Sequence, residues 1–543
     1  MTAPRIGVIA CSCWARSEVG IDADAIVAFA TELPGVVVAE ATDDLCGRGH
    51  AALAADLVRR HGLDRLAVAA CACCNIDQRC PACEDERAAL RDEVIAQTGL
   101  PWAHHAFVNV KSHPASVEDA RTMVAMAVAR LRAAPGEVPP ASKRTPVREA
   151  LVVGAGSQSR AALQELVARG VPVHLVDSAS LARDLSQLPQ GLRVHAPARV
   201  ALIGGGAGEF DVTLERLGGV EHLRVGVILI GPGTAEEQAR SGIGWGLPHQ
   251  SMSSPPRRVR GAFLVGAEGV AAAGSAEAFL DRDVTGPESA AVVDPAACIG
   301  CLKCQHVCPF DAVGEEPLDF ELGRFSYAGH IARVDPLLCT SCGACAAACM
   351  NLAVDLPSYT SAELEAALSA GLARTPSVGF VCNWSAYRAY DEAARAKALP
   401  AGLVVIRVPC LSRVSPALLE HALERGADPL VLIGCREDGC HYRARRAVLD
   451  ESLLAMQPAL LAQGDLDRVK AIWLGVADKD LLISRVSEAL EEQKLAREEA
   501  EERGAREAAP PAPASAPAPA SAPAPSSAPA PGPAPEKVEE GGT

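Results

Sequence analysis

Eight of the chain's cysteines stand at a spacing that does iron chemistry. Cys298, Cys301, Cys304 and Cys308 form a C-x2-C-x2-C-x3-C run closed by Pro309, and Cys339, Cys342, Cys345 and Cys349 repeat that register. The short gaps let three thiolates of one tight loop reach three irons of a cube, while the fourth, carried on the following helix, reaches across to a second cube. The spacing therefore predicts one [4Fe-4S] cluster on Cys298, Cys301, Cys304 and Cys349, and another on Cys339, Cys342, Cys345 and Cys308. A zinc ribbon needs only two CxxC pairs. Met350 stands where the second run would repeat the proline.

The other cysteines, of 20 in all, fall in two further blocks, and none lies between 84 and 297. Cys382 and Cys435 each stand at the carboxyl end of a predicted strand, Cys410 follows a third, and Cys440 is on the next turn. The carboxyl ends of parallel strands converge on one sheet edge, where such folds bind ligands. Four thiols there suit a [2Fe-2S] cluster or an all-thiolate zinc site. The first block repeats the arrangement, with Cys11 and Cys13 after the first strand, Cys46 on a loop, and Cys71 after a later strand. Cys73, Cys74, Cys80 and Cys83 are left between a second metal, thiol chemistry and no function.

The elements that must position these groups are of α/β type. Residues 1–134 alternate strand-like runs (Arg5–Ala10, Val36–Ala39, Leu66–Ala70) with helical ones near Ile21–Leu33 and His50–His61, which implies a parallel βαβ sheet. Ala133–Arg148, with four prolines, reads as a linker. Residues 148–288 open on a strand, the turn Gly154-Ala155-Gly156 and a helix, with Asp177 closing the next strand, as a dinucleotide fold requires. Ser159 replaces the third glycine and is expected to crowd the helix–strand contact. The turn thus leaves open a bound dinucleotide or a structural Rossmann-like spacer. Strands are expected at Asp211–Leu214, Val225–Ile230 and Gly261–Val265, and the run Gly204–Gly208 reads as a hairpin turn.

Residues 289–357 read as a compact two-cluster bacterial ferredoxin domain, in which the segment between Cys308 and Cys339 has no expected role beyond packing. Residues 374–492 return to parallel α/β patterning, with strands at Val378–Val381, Leu403–Val408, Pro429–Ile433 and Val469–Leu474. From Glu488 the chain reads as a charged helix, and 505–543 as a Pro/Ala-rich disordered tail. The expected fold is thus multidomain α/β.

With 51 basic against 67 acidic residues and a formal charge of −16, the chain is a poor nucleic-acid binder. No apolar run reaches the ~18 residues of a membrane helix, and the Met1 end lacks a secretion signal. The expectation is a cytoplasmic protein whose reduced thiols serve metal or redox chemistry. His104, His105 and His441 read as surface or packing residues. No catalytic residue and no hydrolase motif stand out.

The order of cysteine domain, glycine turn and paired cluster motifs resembles the A subunit of heterodisulfide reductase. Val378-Gly379-Phe380-Val381-Cys382-Asn383-Trp384, with Val408-Pro409-Cys410 and Gly434-Cys435-x4-Cys440-His441-Tyr442, resembles the delta subunit of methyl-viologen-reducing hydrogenase. Fusions of the two parts occur, including the B subunit of the quinone-interacting membrane-bound oxidoreductase. The resemblance implies an N-terminal [4Fe-4S] cluster on Cys11, Cys13, Cys46 and Cys71, and a [2Fe-2S] cluster on Cys382, Cys410, Cys435 and Cys440. Ser385 stands where relatives often carry a further cysteine. It also implies FAD over Gly154, Gly156 and Asp177, but the family's flavin domain is much longer than the segment between 148 and 290. The expectation is an electron-transfer subunit whose partners are heterodisulfide reductase B/C-like, hydrogenase or quinone-linked subunits. A flavin-containing, electron-bifurcating oxidoreductase and a zinc-organised scaffold are the alternatives.

Overall fold

The computed structural model describes residues 3–12, 22–43, 45, 51–71, 86–111, 113–138, 143–177, 188–206, 208–231, 261–265, 269–285, 289–308, 310, 312–322, 325–436, 440 and 466–508. Cys13, Cys46, Cys73, Cys74, Cys80, Cys83, Pro309, His441 and the Pro/Ala-rich stretch after 508 lie outside them.

Four parallel strands open the chain: β1 (Ile6–Cys11), β2 (Val36–Thr42), β3 (Arg65–Ala70) and β4 (His105–Asn109), in sheet order β2-β1-β3-β4. β1 and β3 are buried along their whole length, as their near-continuous small apolar runs require of strands covered on both faces. Among the covering helices, α1 (Ala23–Thr31) starts on the Asp22 carboxylate and α4 (Val117–Ala133) on the Ser116 hydroxyl.

His105 begins β4 buried at 3% exposure, with its Nδ1 on the Pro101 carbonyl at 3.0 Å and its Nε2 on the Thr98 hydroxyl at 2.9 Å. Burial pushes its pKa down from 6.5 to about 4. The unfolded chain therefore takes up a proton that the fold refuses as pH falls from about 6.5 to about 4, and stability drops across that window by about 3 kcal/mol. Thermal melts at pH 7 and pH 5 should differ less for His105→Gln than for the parent, and an equal difference refutes the assignment.

Between 143 and 285 a five-stranded parallel sheet has the doubly wound order. Its strands are β6 (Ala150–Val153), β7 (Val173–Val176), β8 (Arg193–His195), β12 (Val227–Ile230) and β13 (Ala262–Leu264), arranged β13-β12-β6-β7-β8. The chain reverses direction across the sheet between β6 and β12, the position at which such folds bind ligands. An antiparallel trio, β9 (Ala198–Gly206), β10 (Glu209–Arg216) and β11 (Gly219–Val225), fills the crossover. Gly204–Gly206 pair with β10 and run into its hairpin. The strand expected over Val225–Ile230 is two strands meeting at Gly226, where any Cβ would lie 2.0 Å from the Val147 carbonyl. The supposed linker is also partly built. β5 (Lys143–Arg144) pairs with β14 (Val284–Thr285), and Arg144 binds Glu209 at 3.2 Å and Asp335 at 2.9 Å.

The cysteine-rich module closes on β15 (Val292–Val293) against β18 (Val354–Asp355), with a hairpin of two ten-residue strands, β16 (Val313–Leu322) and β17 (Phe325–Val334), between its two motifs. The last parallel sheet has the order β20-β19-β21-β22, from β19 (Ser377–Cys382), β20 (Leu403–Val408), β21 (Leu430–Cys435) and β22 (Val469–Leu474). A helix then runs from Lys479 to Ala508. It starts before Glu488 and enters the segment read as tail, because Ala, Glu and Arg sustain helix until the proline run at Pro510.

Candidate metal centres

The two cysteine loops are built alike, offset by 41 residues. Asp294 and Asp335 each accept, on the backbone carbonyl, the N–H of the first thiol residue, Cys298 or Cys339, at 3.0 Å. Their carboxylates take the N–H of Ala296 and Leu337 at 2.9 and 2.8 Å. The signal in the sequence is Val293-Asp294-Pro295 and Val334-Asp335-Pro336, each three residues before a cysteine, and cysteine spacing alone misses it. Two left-handed residues then bend each loop: Gly300 (φ 69°) and Leu302 (φ 54°) in the first, Ser341 (φ 57°) and Gly343 (φ 82°) in the second. Glycine takes that conformation at no steric cost, so each loop spends backbone strain at one of its two bends.

The thiol sulfurs accept hydrogen bonds with the same symmetry. Ala332 N–H points at Cys298 Sγ at 3.5 Å, and Ala291 N–H at Cys339 Sγ at 3.4 Å. Ala332 belongs to β17, so the segment expected only to pack supplies a donor to a candidate ligand. Ser341 and Ala353 donate to Cys339 and Cys349 at 3.4 and 3.2 Å. Such donors stabilise charge on sulfur and tune cluster potential.

The fold brings the predicted partners together across the two runs. Cys304 is pushed up by burial and by the neighbouring charges of Cys349 and Cys298. Cys339 and Cys345 are likewise raised, by burial first and with Cys308 among the charges they feel. Cys342 and Cys345 are buried, whereas Cys301 is exposed.

Cys382 and Cys435 are the last residues of adjacent strands β19 and β21, and Cys410 lies just past β20 on the other side of β19. Their thiols meet in a buried group, with Cys435 Sγ 3.5 Å from Cys382 Sγ. Cys382 is raised well above the ordinary thiol range by hydrogen bonding to Cys410 and Cys435 and by burial, while the hydrogen bond with Cys382 lowers Cys435. Cys440 is half-buried. A buried set of thiols alone resists full ionisation; a bound iron centre supplies the positive charge that offsets it.

At the first sheet, Cys11 ends β1 and Cys71 follows the adjacent β3, so both stand at one edge, and Leu45 N–H meets Cys11 Sγ at 3.4 Å.

Residues 378–495 match the family of the methyl-viologen-reducing hydrogenase delta subunit, and residues 290–350 match the 4Fe-4S dicluster domain. The vhc iron-sulfur D subunit of the F420-non-reducing hydrogenase of Methanococcus voltae is 30% identical over 103 residues, covering 19% of this chain and 72% of that protein. Through this domain the chain belongs to the hydrogenase delta-subunit family. The delta-subunit domain is fused to a part similar to the A subunit of heterodisulfide reductase. The A subunit of the ferredoxin:CoB-CoM heterodisulfide reductase of Methanosarcina mazei is 26% identical over 314 residues, 52% of this chain and 38% of that protein. The A subunit of the H(2)/formate:CoB-CoM heterodisulfide,ferredoxin reductase of Methanococcus maripaludis is 29% identical over 249 residues, 40% of this chain and 36% of that protein. The chain spans little more than a third of the length of these two relatives. The dicluster match assigns two [4Fe-4S] clusters to the module ahead of the delta-subunit domain.

At the glycine turn, Gly154 is left-handed (φ 91°), Gly156 caps the helix Ser157–Ala168, and the Asp177 carboxylate accepts the Ala155 N–H at 2.7 Å. Ser159 does not crowd the sheet as expected. It is fully buried opposite Gly231, where an added Cβ would stand 2.4 Å from its Oγ, so the space the missing glycine would give is supplied from across the contact. Gly231→Ala should cost about 1–3 kcal/mol of stability. Adding Ser159→Gly should return part of it, the Val153 carbonyl at 2.9 Å withholding the rest. Equal melting of the single and double variants would refute the pairing. His104 and His105 are packing residues, both buried.

Proposed function

We propose that this chain is an iron–sulfur electron-transfer subunit of a heterodisulfide reductase-like oxidoreductase complex. Cys298, Cys301, Cys304 and Cys349 would hold one cube, and Cys339, Cys342, Cys345 and Cys308 the other. Cys382, Cys410, Cys435 and Cys440 would hold a [2Fe-2S] cluster, and Cys11, Cys13, Cys46 and Cys71 a further [4Fe-4S] cluster. Such clusters supply one-electron storage at potentials set by charge, sulfur hydrogen bonds and burial.

The observation that carries this reading is a single packed group containing Cys342 of the dicluster module and Cys410 of the delta-subunit domain, with Val307, Phe310 and Trp384 against it. The Ser412 hydroxyl also donates to the Cys342 carbonyl at 3.4 Å. Two thiol sets in dry contact suit electron relay inside one chain. The first run presents the exposed Cys301 two residues from Ile299 (68% exposed), which suits hand-over to a docked subunit. That partner would be a heterodisulfide reductase B/C-like, hydrogenase or quinone-linked subunit.

No helix among the described residues is long and apolar enough to cross a membrane. The proposed place of the complex is the cytoplasm, where thiols stay reduced and available to iron. Anaerobically purified protein should contain iron and acid-labile sulfide in near-equal amounts, with EPR signals of both cluster types on reduction. Zinc without sulfide would overturn the proposal. A second reading, a flavin-containing subunit, is favoured by the doubly wound sheet and by the open space at Gly156 among the described residues. Stoichiometric FAD on extraction would establish it.

A further inference from the structure

Arg413 is the bulkiest fully buried side chain described, at 0% exposure, and it lies between the two thiol sets. The turn Leu411–Arg413 leaves Cys410 directly, with Arg413 N–H on the Cys410 carbonyl at 3.0 Å. On its other side the Arg413 stem fills the space under the second cysteine loop. A Cβ on Gly343, midway between Cys342 and Cys345, would stand 2.6 Å from Arg413 Cδ and 2.7 Å from its Cβ.

The guanidinium is only partly used. Nε donates to the Tyr359 carbonyl at 2.8 Å, and Nη2 to Asp355 Oδ1 at 2.8 Å and to Ser361 Oγ at 3.0 Å. Nη1 is buried and has no hydrogen-bond partner among the described residues. Cys345 lies within Coulombic range of this cation. Its counter-charge is weaker than the geometry first suggests: the Arg413 side chain is 1% exposed and that of Asp355 30%, so water screens the carboxylate and not the guanidinium. Glu363, itself fully buried, also lies within Coulombic range, but burial pushes its carboxyl up toward the neutral form, so the Arg413 charge beside the thiols of the second run is only partly offset.

We propose that Arg413 is a positioning residue that holds the Cys342–Cys345 loop in shape and, through its buried charge, favours the reduced form of the cube on Cys339, Cys342, Cys345 and Cys308. This rests on the proposed ligand set. Reduction adds one electron to that cube and no bond changes, so a fixed nearby cation stabilises the product over the reactant. The same residue joins the loop to Cys410, so the charge sits where the delta-subunit domain and the dicluster module meet.

Redox titration of the full-length holoprotein, followed by EPR, tests this. Arg413→Gln should lower the reduced-to-oxidised ratio of one [4Fe-4S] signal at least tenfold at any fixed potential, equivalent to 59 mV for a one-electron couple. Arg413→Lys, which keeps the charge, should shift it less than threefold. If Arg413→Gln does not fold, Asp355→Asn gives the opposite reading: removing the counter-charge should raise the ratio. Iron and sulfide contents are measured on every sample. Wild-type protein without [4Fe-4S] signals would refute the ligand set, whereas normal signals that neither Arg413→Gln nor Asp355→Asn moves would refute the role of Arg413. A purely structural arginine would lower the melting temperature equally in Lys and Gln variants and leave the ratio unchanged.

Discussion

Cys435→Ala should abolish the [2Fe-2S] cluster proposed for the C-terminal domain and leave the dicluster module loaded. Cys435 Sγ is 3.5 Å from Cys382 Sγ and accepts the Ala386 N–H at 3.5 Å, so it is the thiol that ties β21 to β19 and to the helix Ser385–Arg395. Its loss leaves Cys382 and Cys410 as buried thiols and the proposed four-thiolate set one donor short. The expected result is about two fewer irons per chain and loss of the [2Fe-2S] EPR signal, with both [4Fe-4S] signals kept. The eight dicluster thiols are positioned by their own loops and by Asp294 and Asp335. An unchanged iron content would remove Cys435 from the ligand set, and loss of all iron would show that the centres do not assemble separately.

The second large effect is expected between the first and the last parallel sheets. His113, which precedes α4, is buried among Tyr387, Tyr390 and Asp391 of the helix Ser385–Arg395. Its Nε2 meets Asp391 Oδ1 at 3.0 Å, and the other carboxylate oxygen takes Arg395 Nε at 2.9 Å. Burial pushes the His113 pKa down, against the pull of the Asp391 carboxylate. The same face is sewn by Glu118 to Arg374 at 2.8 Å, by the Gly402 N–H to Asp119 at 3.2 Å, and by Arg374 stacked on Phe29. Asp391→Ala removes the only carboxylate described at His113 and leaves its N–H buried, which should cost about 3 kcal/mol. Thermal melts should show the loss at unchanged iron content, with Asp391→Asn recovering part of it. A variant that melts like the parent would mean that the His113–Asp391 contact does not hold the two sheets together.

Much of the arrangement was legible in the sequence because it is local. Leu403–Val408 and Val469–Leu474 are strands over the full range read from apolar runs alone. The crossed pairing proposed for Cys304 with Cys349 and for Cys345 with Cys308 is read from the motif spacing, in which the fourth cysteine of each run is carried on the following helix. The Rossmann-like sheet was legible as a strand–turn–helix, but the accommodation of Ser159 was not. It depends on Gly231, 72 positions away, which no local pattern connects to it.

The sequence by itself determined which thiols can share a loop, and hence the two-cube module, because bond lengths and backbone angles limit where nearby cysteines can point. Only the tertiary structure decided which distant ones meet. Cys382, Cys410 and Cys435 converge because β20, β19 and β21 are neighbours in that order. Cys410 reaches Cys342 because the Leu411–Arg413 turn packs beneath Gly343. Burial and charge at these contacts come from the summed packing of several elements, so Arg413, one arginine among many in the sequence, acquires its surroundings only in the fold.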